Sequence, residues 1–216
     1  MPDPETTGDV PSYQDMTLER LLEAFSDTSA APGGGGAAVI AVALSASLCA
    51  MTARLSARQM HDALAIATEA VSIRDDVTPL CAQDARSYLD VIAARRVRDE
   101  PDSAEAESAQ PGQVERRGSI ADALSTAADV PMATVVAGAR LARLAARLAE
   151  EGNPNLRGDA LVAAVLAGAG VEGAATLVRI NLAELPGDHR HVAVRSLLDE
   201  TTAQVERARR AAAVTV

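Results

Sequence analysis

The sequence predicts an all-α protein, a single bundle of six or seven helices with long alanine-rich core helices. Apolar residues make up 48% of the chain but aromatic residues only 1%, so the core must be built from small and aliphatic side chains, which suit packed helices. No sustained alternation of apolar and polar residues indicates a strand. Two long runs are almost free of charge: residues 37–53 carry none, and residues 160–178 carry only Glu172. Each run is long enough for a buried core helix.

The individual elements follow from apolar periodicity and from the Gly, Pro and Asn residues that interrupt it. The predicted helices are Met16–Ser26, Ala37–Ala57, Arg58 to about Arg98 with a break near Thr78-Pro79, Ser119–Glu151 with a kink or break at Pro131, Leu156–Ala183, and Asp188 to about Arg210. We expect residues 1–14 to be a flexible segment and residues 15–216 to be one helical domain with a charged loop at 99–118.

Charge and composition exclude several classes of function. The net charge of −10 argues against binding to nucleic acid or to an anionic membrane. All 20 basic residues are arginine, which excludes Schiff-base and P-loop lysine chemistry. The two apolar runs approach the length of a membrane span, but their Ala, Gly, Ser and Thr content favours buried helices. Cys49 and Cys81 form no disulfide framework, and no secretory signal is recognisable, so we expect a cytoplasmic protein.

The most informative segment is Gly33-Gly34-Gly35-Gly36, which leads directly into the first uncharged helix. We expect a flexible loop whose free N–H groups, at the positive end of a helix dipole, suit an anionic or polar ligand. A plain connecting loop is the alternative. Residues 33–38 also satisfy the pattern G-x-G-x-x-A, but an amphipathic helix precedes them instead of a strand, which argues against a dinucleotide fold.

A second polar segment, Asn153-Pro154-Asn155 followed by Asp159, leads into the second uncharged helix. Asp159 falls in the first helical turn, where it is either a simple cap or a functional acid. The parallel with the glycine segment suggests that the two polar segments meet at one end of the bundle. Asp159 and Asn181 lie about 33 Å apart along a continuous helix, so only a break or an antiparallel partner helix could unite them.

Three further features leave alternatives open. Asp84 and Tyr88 share a helix face, and Asp84 is either a buried acid or a solvated surface residue. Asn181 either caps its helix or lines a site. A ridge of small residues at every fourth position serves either internal packing or a dimer contact. That ridge consists of Ala37, Ala41, Ser45, Cys49 and Ala53.

The histidines form no metal-ligand pattern, so we predict no metal site. His189-Arg190-His191 stands near a helix start and is predicted to be a solvent-facing turn, and His61 is isolated. No Ser/His/Asp or Cys/His set is recognisable.

Five motifs in order resemble the cyclodeaminase/cyclohydrolase family, over about Thr17 to His191. They are Pro32-Gly33-Gly34-Gly35-Gly36 with its Ala-rich helix, Asp84-x-x-x-Tyr88 with Ala93-Ala94, Val130-Pro131-Met132, Gly152-Asn153-Pro154-Asn155-x-x-Gly158-Asp159, and Arg179-Ile180-Asn181-Leu182. The family includes the cyclodeaminase half of formiminotransferase-cyclodeaminase and stand-alone methenyltetrahydrofolate cyclohydrolases. The resemblance implies an all-helical homodimer, joined through helix faces, that handles one-carbon units on tetrahydrofolate without a further cofactor.

The resemblance also suggests roles for residues. Asp159 or Asp84 would be the catalytic acid or base, and the resemblance does not choose between them. The substrate-binding candidates are Gly33, Gly34, Gly35, Gly36, Tyr88, Asn153, Asn155 and Asn181. The reaction would be hydrolysis of 5,10-methenyltetrahydrofolate, or ring closure with ammonia loss from 5-formiminotetrahydrofolate.

The chain departs from the family pattern at three places. Gly158 stands where a Ser is usual, and Leu177 where an Asn is usual. Val97-Arg98-Asp99 replaces the Leu-Pro-Lys that commonly ends the long helix. These departures motivate the alternative of a non-catalytic, folate-binding or scaffold homologue.

Overall fold

A computed structural model describes residues 12–99 and 120–213, and in these ranges the chain is helical without a strand. This confirms the all-α prediction. The helices are α1 (Leu18–Ser26), α2 (Gly34–Arg54), α3 (Ala63–Val77), α4 (Leu80–Asp99), α5 (120–127), α6 (Asp129–Glu151), α7 (Arg157–Asn181) and α8 (Arg190–Ala213). Short 3-10 turns lie at Tyr13–Asp15 and Pro154–Leu156.

Helices α2, α6 and α7 pack against one another in the centre of the bundle, with α8 across α6 and α7 and with α3 and α4 beside α2. Val42 of α2 inserts between two glycines: a Cβ added at Gly138 of α6 would lie 3.3 Å from its methyl group, and one at Gly170 of α7 only 2.5 Å from it. The absence of side chains at these positions lets the three helices approach closely.

The small-residue ridge of α2 is mainly an internal contact. Ser45, Cys49 and Ala53 are fully buried. The Ser45 hydroxyl donates a hydrogen bond of 2.8 Å to the carbonyl oxygen of Ala163 on α7, which satisfies the buried polar group. Internal packing therefore accounts for Ser45, Cys49 and Ala53, whereas Ala37 is exposed and Ala41 half-buried, and a dimer contact at that end of the ridge stays a prediction.

The glycine segment is helical rather than a flexible loop, which corrects the prediction. Helix α2 begins at Gly34, three residues earlier than expected, with Gly33 as its N-cap. No glycine in the described ranges has a positive φ. The backbone conformation therefore does not require glycine at these positions, and the reason for glycine must be the space that a missing side chain leaves free.

Two prolines stand where the helices begin. Thr78-Pro79 separates α3 from α4, as predicted. The predicted interruption near Pro131 lies at Ala128, between α5 and α6. Pro131 itself is the third residue of α6, where its missing N–H leaves no intrahelical bond unmade.

The predicted flexible N-terminal segment is only partly described. Residues 1–11 lie outside the described ranges, and Tyr13 is buried in the core cluster that also contains Cys81. The flexibility of residues 1–14 stays a prediction. The charged loop predicted at 99–118 lies outside the described residues from 100 onward, and Asp99 is the last residue of α4.

Three helical stretches are long and apolar enough to cross a membrane by length and composition: Gly34–Arg54, Ile120–Glu151 and Pro154–Asn181. In the bundle about half of each apolar window is buried against the rest of the chain. The expectation that these are core helices of a protein without a membrane partner stays a prediction.

Candidate functional site

A cavity of about 370 Å³ lies at the N-terminal end of α2. It is lined by Ala30, Ala31 and Gly33–Gly35 at the start of α2, by Asp84, Ala85, Ser87, Tyr88, Val91 and Arg95 on α4, by Leu124 and Ala127 on α5, and by Leu177, Ile180 and Asn181 at the end of α7. Six of the predicted site residues therefore meet in one cavity: Gly33, Gly34, Gly35, Asp84, Tyr88 and Asn181.

Asp84 occupies the inner end of this cavity, against the first turn of α2. A Cβ at Gly35 would overlap its carboxyl group, so only glycine allows this approach. The backbone N–H of Gly36 donates a hydrogen bond to the carboxylate. The helix N-terminus that seemed suited to an external anion is thus capped by an acid of the same chain. This is the role of Gly36, which does not line the cavity.

Partial burial sets the protonation of Asp84. Loss of solvent around the carboxyl group raises its pKa above the ordinary value of 3.8, and the hydrogen bond from Gly36 opposes this only in part. A carboxyl group with a raised pKa can accept and return a proton nearer to neutral pH than an exposed aspartate can. Asp84 thus lies between the two alternatives left open by its sequence position: it is half-buried, and its carboxyl group is partly removed from solvent.

Cys81 and Tyr13 are buried near Asp84. Burial, together with the nearby charge of Asp84, raises the pKa of the Cys81 thiol to about 11. Burial also raises the pKa of Tyr13, and the charges of Cys81 and Asp84 add to this. Both groups are therefore neutral at neutral pH, so Asp84 has no cationic neighbour on this side to depress its pKa.

Helix α5 is held in the cavity wall by polar contacts with the segment around the start of α8. Arg190 donates hydrogen bonds of 2.9 Å to the Ser125 carbonyl oxygen and 2.8 Å to the Ser125 hydroxyl oxygen. It also pairs with Asp188 at 2.7 Å and Asp129 at 2.6 Å. Its paired guanidinium keeps the pKa of Asp188 well below the usual range.

This network corrects the prediction for the His189-Arg190-His191 turn. His189 is indeed solvent-facing, with 91% of its side chain exposed, but the Arg190 side chain is only 12% exposed. The His191 ring lies 3.2 Å from the carbonyl oxygens of both Leu182 and Leu185. Asn181 adds a link between α7 and α5, since its side-chain amide donates a 2.9 Å hydrogen bond to the Ala127 carbonyl oxygen.

The second polar segment lies at the opposite end of α2. The backbone N–H of Asn153 donates to the Ser56 hydroxyl at 2.9 Å, and its side-chain amide donates to the Leu55 carbonyl oxygen at 3.3 Å. Leu55 follows directly on α2, whose 21 residues span about 30 Å. Asn153, Asn155 and Asp159 are therefore remote from the cavity of their own chain.

The predicted convergence of the two polar segments within one chain is thus wrong. The reason is the direction of packing: α2 and α7 run antiparallel, so the start of α2 meets the end of α7. Asp159 does stand in the first turn of α7, as predicted. In the part of the chain that is described, no three His, Cys, Asp or Glu side chains are grouped as metal ligands, and the absence of a metal site remains an expectation.

Sequence reasoning missed the cavity residues Ser87, Val91 and Arg95 on α4. They lie at spacings of three and four residues from Asp84, Tyr88 and one another, so they belong to the same helix face. Extending the predicted face along α4 by these spacings would have identified them. It could not have found Leu124 and Ala127, because nothing local shows that α5 covers the cavity.

The chain is similar in sequence and in fold to known proteins. A methenyltetrahydrofolate cyclohydrolase from Methylorubrum extorquens is 32% identical over 171 residues, covering 76% of this chain and 78% of that protein. The crystal structure of a formiminotetrahydrofolate cyclodeaminase from Thermotoga maritima superposes with a TM-score of 0.73 at 24% identity, covering 94% of this chain and 96% of the other. Residues 17–200 match the sequence model described as formiminotransferase-cyclodeaminase, and the chain belongs to that family.

Proposed function

We propose that the protein is a one-carbon folate enzyme that hydrolyses 5,10-methenyltetrahydrofolate to 10-formyltetrahydrofolate. The observation that carries the proposal is Asp84, the one carboxylate among the described residues that line the cavity, held in partial burial against the bare backbone of Gly35. The 32% identical relative, a methenyltetrahydrofolate cyclohydrolase, supports the same reaction.

Asp84 acts as the base and then as the acid. Its ionised carboxylate accepts a proton from water while the water oxygen bonds to the cationic carbon between N5 and N10 of the substrate. The bond from this carbon to N5 then breaks as N5 receives the proton from Asp84. The hydroxyl proton leaves to solvent, and the formyl group remains on N10. The balance is one water consumed and one proton released.

The other residues that line the cavity form a mainly apolar surface on which the substrate can bind. Among the described residues, no neighbouring atom lies within 4 Å of a Cβ placed at Gly33 or Gly34, so the flat ring system can approach the α2 backbone there. Tyr88, Leu177 and Ile180 offer apolar surface around it. Because the substrate carbon is already cationic, the chemistry that we propose uses neither a metal ion nor a redox cofactor.

We further propose a homodimer through the exposed apolar face of α2 and α7. Four apolar side chains on these two helices are exposed: Leu44 is 52% exposed and Ile180 61% exposed, and Met51 and Val162 are exposed as well. Such a surface is typical of a protein interface. It is continuous with the cavity, because Ile180 belongs to both.

A two-fold dimer on this face would complete the site. An isologous contact between antiparallel helices places the far end of one copy over the near end of the other. The turn at Asn153–Asp159 of a second copy would then lie beside the cavity of the first. This arrangement gives Asn153, Asn155 and Asp159 a substrate-binding or catalytic role that they cannot have within one chain.

The reaction is tested with the purified full chain. Loss of the near-ultraviolet absorbance of 5,10-methenyltetrahydrofolate should accelerate with protein concentration, and Asp84→Asn should lower kcat about a thousandfold. Asp90→Asn, on an exposed position of the same helix, is the matched control and should keep kcat within about twofold.

Three other outcomes count against the proposal. Release of ammonia from 5-formiminotetrahydrofolate without hydrolysis of the methenyl compound would make the protein a cyclodeaminase. Folate binding without either reaction would support the non-catalytic homologue that Gly158 and Leu177 motivate. Equal kcat for the Asp84 and Asp90 variants would remove Asp84 from the mechanism.

A further inference from the structure

Helix α4 presents four different chemical groups to the cavity in a fixed order. Asp84, Tyr88, Val91 and Arg95 follow one another at spacings of four, three and four residues, so they form one continuous helix face. From Asp84 to Arg95 this face covers three helical turns, about 16 Å. The cavity is therefore lined lengthwise by a carboxylate, a phenol ring, an aliphatic side chain and a guanidinium.

The two ends of this face carry opposite charges. Of the lining residues that the structure describes, Asp84 and Arg95 are the charged ones. Within the described ranges Arg95 makes no ion pair, whereas the arginines near other acids are paired; these are Arg74, Arg140, Arg143, Arg147, Arg190, Arg207 and Arg209. In a chain with a net charge of −10, an unpaired guanidinium at a cavity is available for an anion from outside the chain.

We propose that Arg95 binds the carboxylates of the glutamate tail of the substrate and thereby fixes the direction in which the substrate lies. A folate carries a bicyclic ring with the one-carbon unit, then an aminobenzoyl ring, then a glutamate chain, and α4 offers a matching partner for each in the same order. The reacting carbon lies at Asp84, the aminobenzoyl ring beside Tyr88, and the tail at Arg95. The inference rests on the proposed function and adds the orientation and the tail-binding residue.

The physical reason for this direction is charge. The reverse orientation would put the tail carboxylates beside the Asp84 carboxylate and the cationic one-carbon unit beside the Arg95 guanidinium, which repel in both places. Guanidinium forms paired, charge-assisted hydrogen bonds with a carboxylate. Since Arg95 is solvent-exposed, its pair with the tail is screened by salt and affects binding rather than the chemical step.

The experiment compares Arg95→Gln with Arg96→Gln, a neighbouring exposed arginine that does not line the cavity. Kinetics are measured with 5,10-methenyltetrahydrofolate and with an analogue whose two glutamate carboxylates are converted to amides. Arg95→Gln should raise KM for the natural substrate about tenfold with kcat within about twofold, and Arg96→Gln should change neither. With the amide analogue the wild type and Arg95→Gln should have equal KM values.

Salt gives a second readout. The KM of the wild type for the natural substrate should rise with ionic strength, and that of Arg95→Gln should rise much less. An unchanged KM in Arg95→Gln, or the same rise with the amide analogue, would overturn the assignment. If the wild type turns over no substrate, the affinities of 5,10-methenyltetrahydrofolate and of the amide analogue are measured by calorimetry. A preference for the charged tail that depends on Arg95 would support the proposed orientation although the proposed reaction fails. Equal affinities would contradict both proposals.

Discussion

The two polar segments that precede the two uncharged helices look alike in sequence and differ in the folded chain. Gly33–Gly36 opens α2 beside a cavity, and its Gly36 N–H is satisfied by the half-buried carboxylate of Asp84. The turn at Asn153 precedes α7 at the other end, and its polar groups are satisfied by a hydroxyl and a carbonyl oxygen of the α2 terminus. The two segments therefore differ in the group that satisfies their polar atoms, which is a titratable carboxylate beside a cavity in the first case and a hydroxyl and a carbonyl oxygen in the second.

The glycines at the two ends differ in the same way. A Cβ at Gly152 would overlap the Leu148 carbonyl oxygen and lie 2.9 Å from the Ser56 hydroxyl, so packing within the chain alone requires glycine there. Gly33 and Gly34 have open space around them and no positive φ. Nothing in residues 12–99 and 120–213 requires these two glycines, which agrees with close approach of a substrate or of a second copy.

The largest expected effect is on activity, and it tests whether Asp84 of one copy and Asp159 of a second copy share a site in a dimer. Asp84→Asn and Asp159→Asn should each lower activity, the former about a thousandfold, because each removes one acid from every site of a two-fold dimer. Mixed dimers of the two variants contain one site with both acids intact. Unfolding and refolding an equal mixture should therefore restore about a quarter of wild-type activity.

The control is refolding of each variant alone, which should give no recovery. If light scattering shows that the protein is dimeric and the refolded mixture still recovers no activity, then Asp84 and Asp159 do not share a site. Wild-type activity in Asp159→Asn would show directly that the second polar segment is only a helix cap.

The sequence was sufficient for much of the fold and for half of the site. Uncharged runs and apolar periodicity define α2 and α7, and helical spacing brings Asp84 and Tyr88 together, because both depend on local geometry. The direction in which α7 packs on α2 is a tertiary property, and it decides that Asn181, and not Asp159, shares a cavity with Gly35. The contact of Arg190 with Ser125 spans 65 residues and has no local signal.

A smaller effect on activity is expected to distinguish two glycines at the start of α2, Gly35 and Gly34. Gly35→Ala should lower kcat about a hundredfold, because the new methyl group displaces the Asp84 carboxylate from its position on α2. The same substitution at Gly34 meets no atom of the chain. Gly34→Ala should therefore raise the free energy of unfolding by about 0.5–1 kcal/mol, since alanine is the better helix former.

Thermal unfolding and steady-state kinetics of both variants check this pair. Gly35→Ala should also unfold more easily, by about 1–3 kcal/mol, as expected for overpacking. Equal stability and activity of the two variants would mean that Asp84 does not rest on Gly35. A loss of activity in Gly34→Ala with raised stability would instead indicate substrate contact at that glycine.

The smallest expected effect is on stability, and it has opposite signs at the two ends. Partial burial raises the pKa of Asp84 in the folded chain above 3.8, so the folded state holds its proton to higher pH than the unfolded state does. The stability that this proton contributes is complete below pH 3.8 and is lost as pH rises through the raised pKa. At neutral pH, Asp84→Asn should therefore be more stable than the wild type, and this gain should disappear as pH falls toward 3.8.

Asp159→Asn should behave in the opposite way at neutral pH. It removes a negative charge from the first turn of α7, where the helix dipole favours that charge, and should lower the free energy of unfolding by about 0.3–1 kcal/mol. Denaturant unfolding of both variants at neutral and acidic pH measures the contrast. Destabilisation by Asp84→Asn at neutral pH would contradict this, because it would mean that the hydrogen bond from Gly36 stabilises the ionised carboxylate by more than its burial costs.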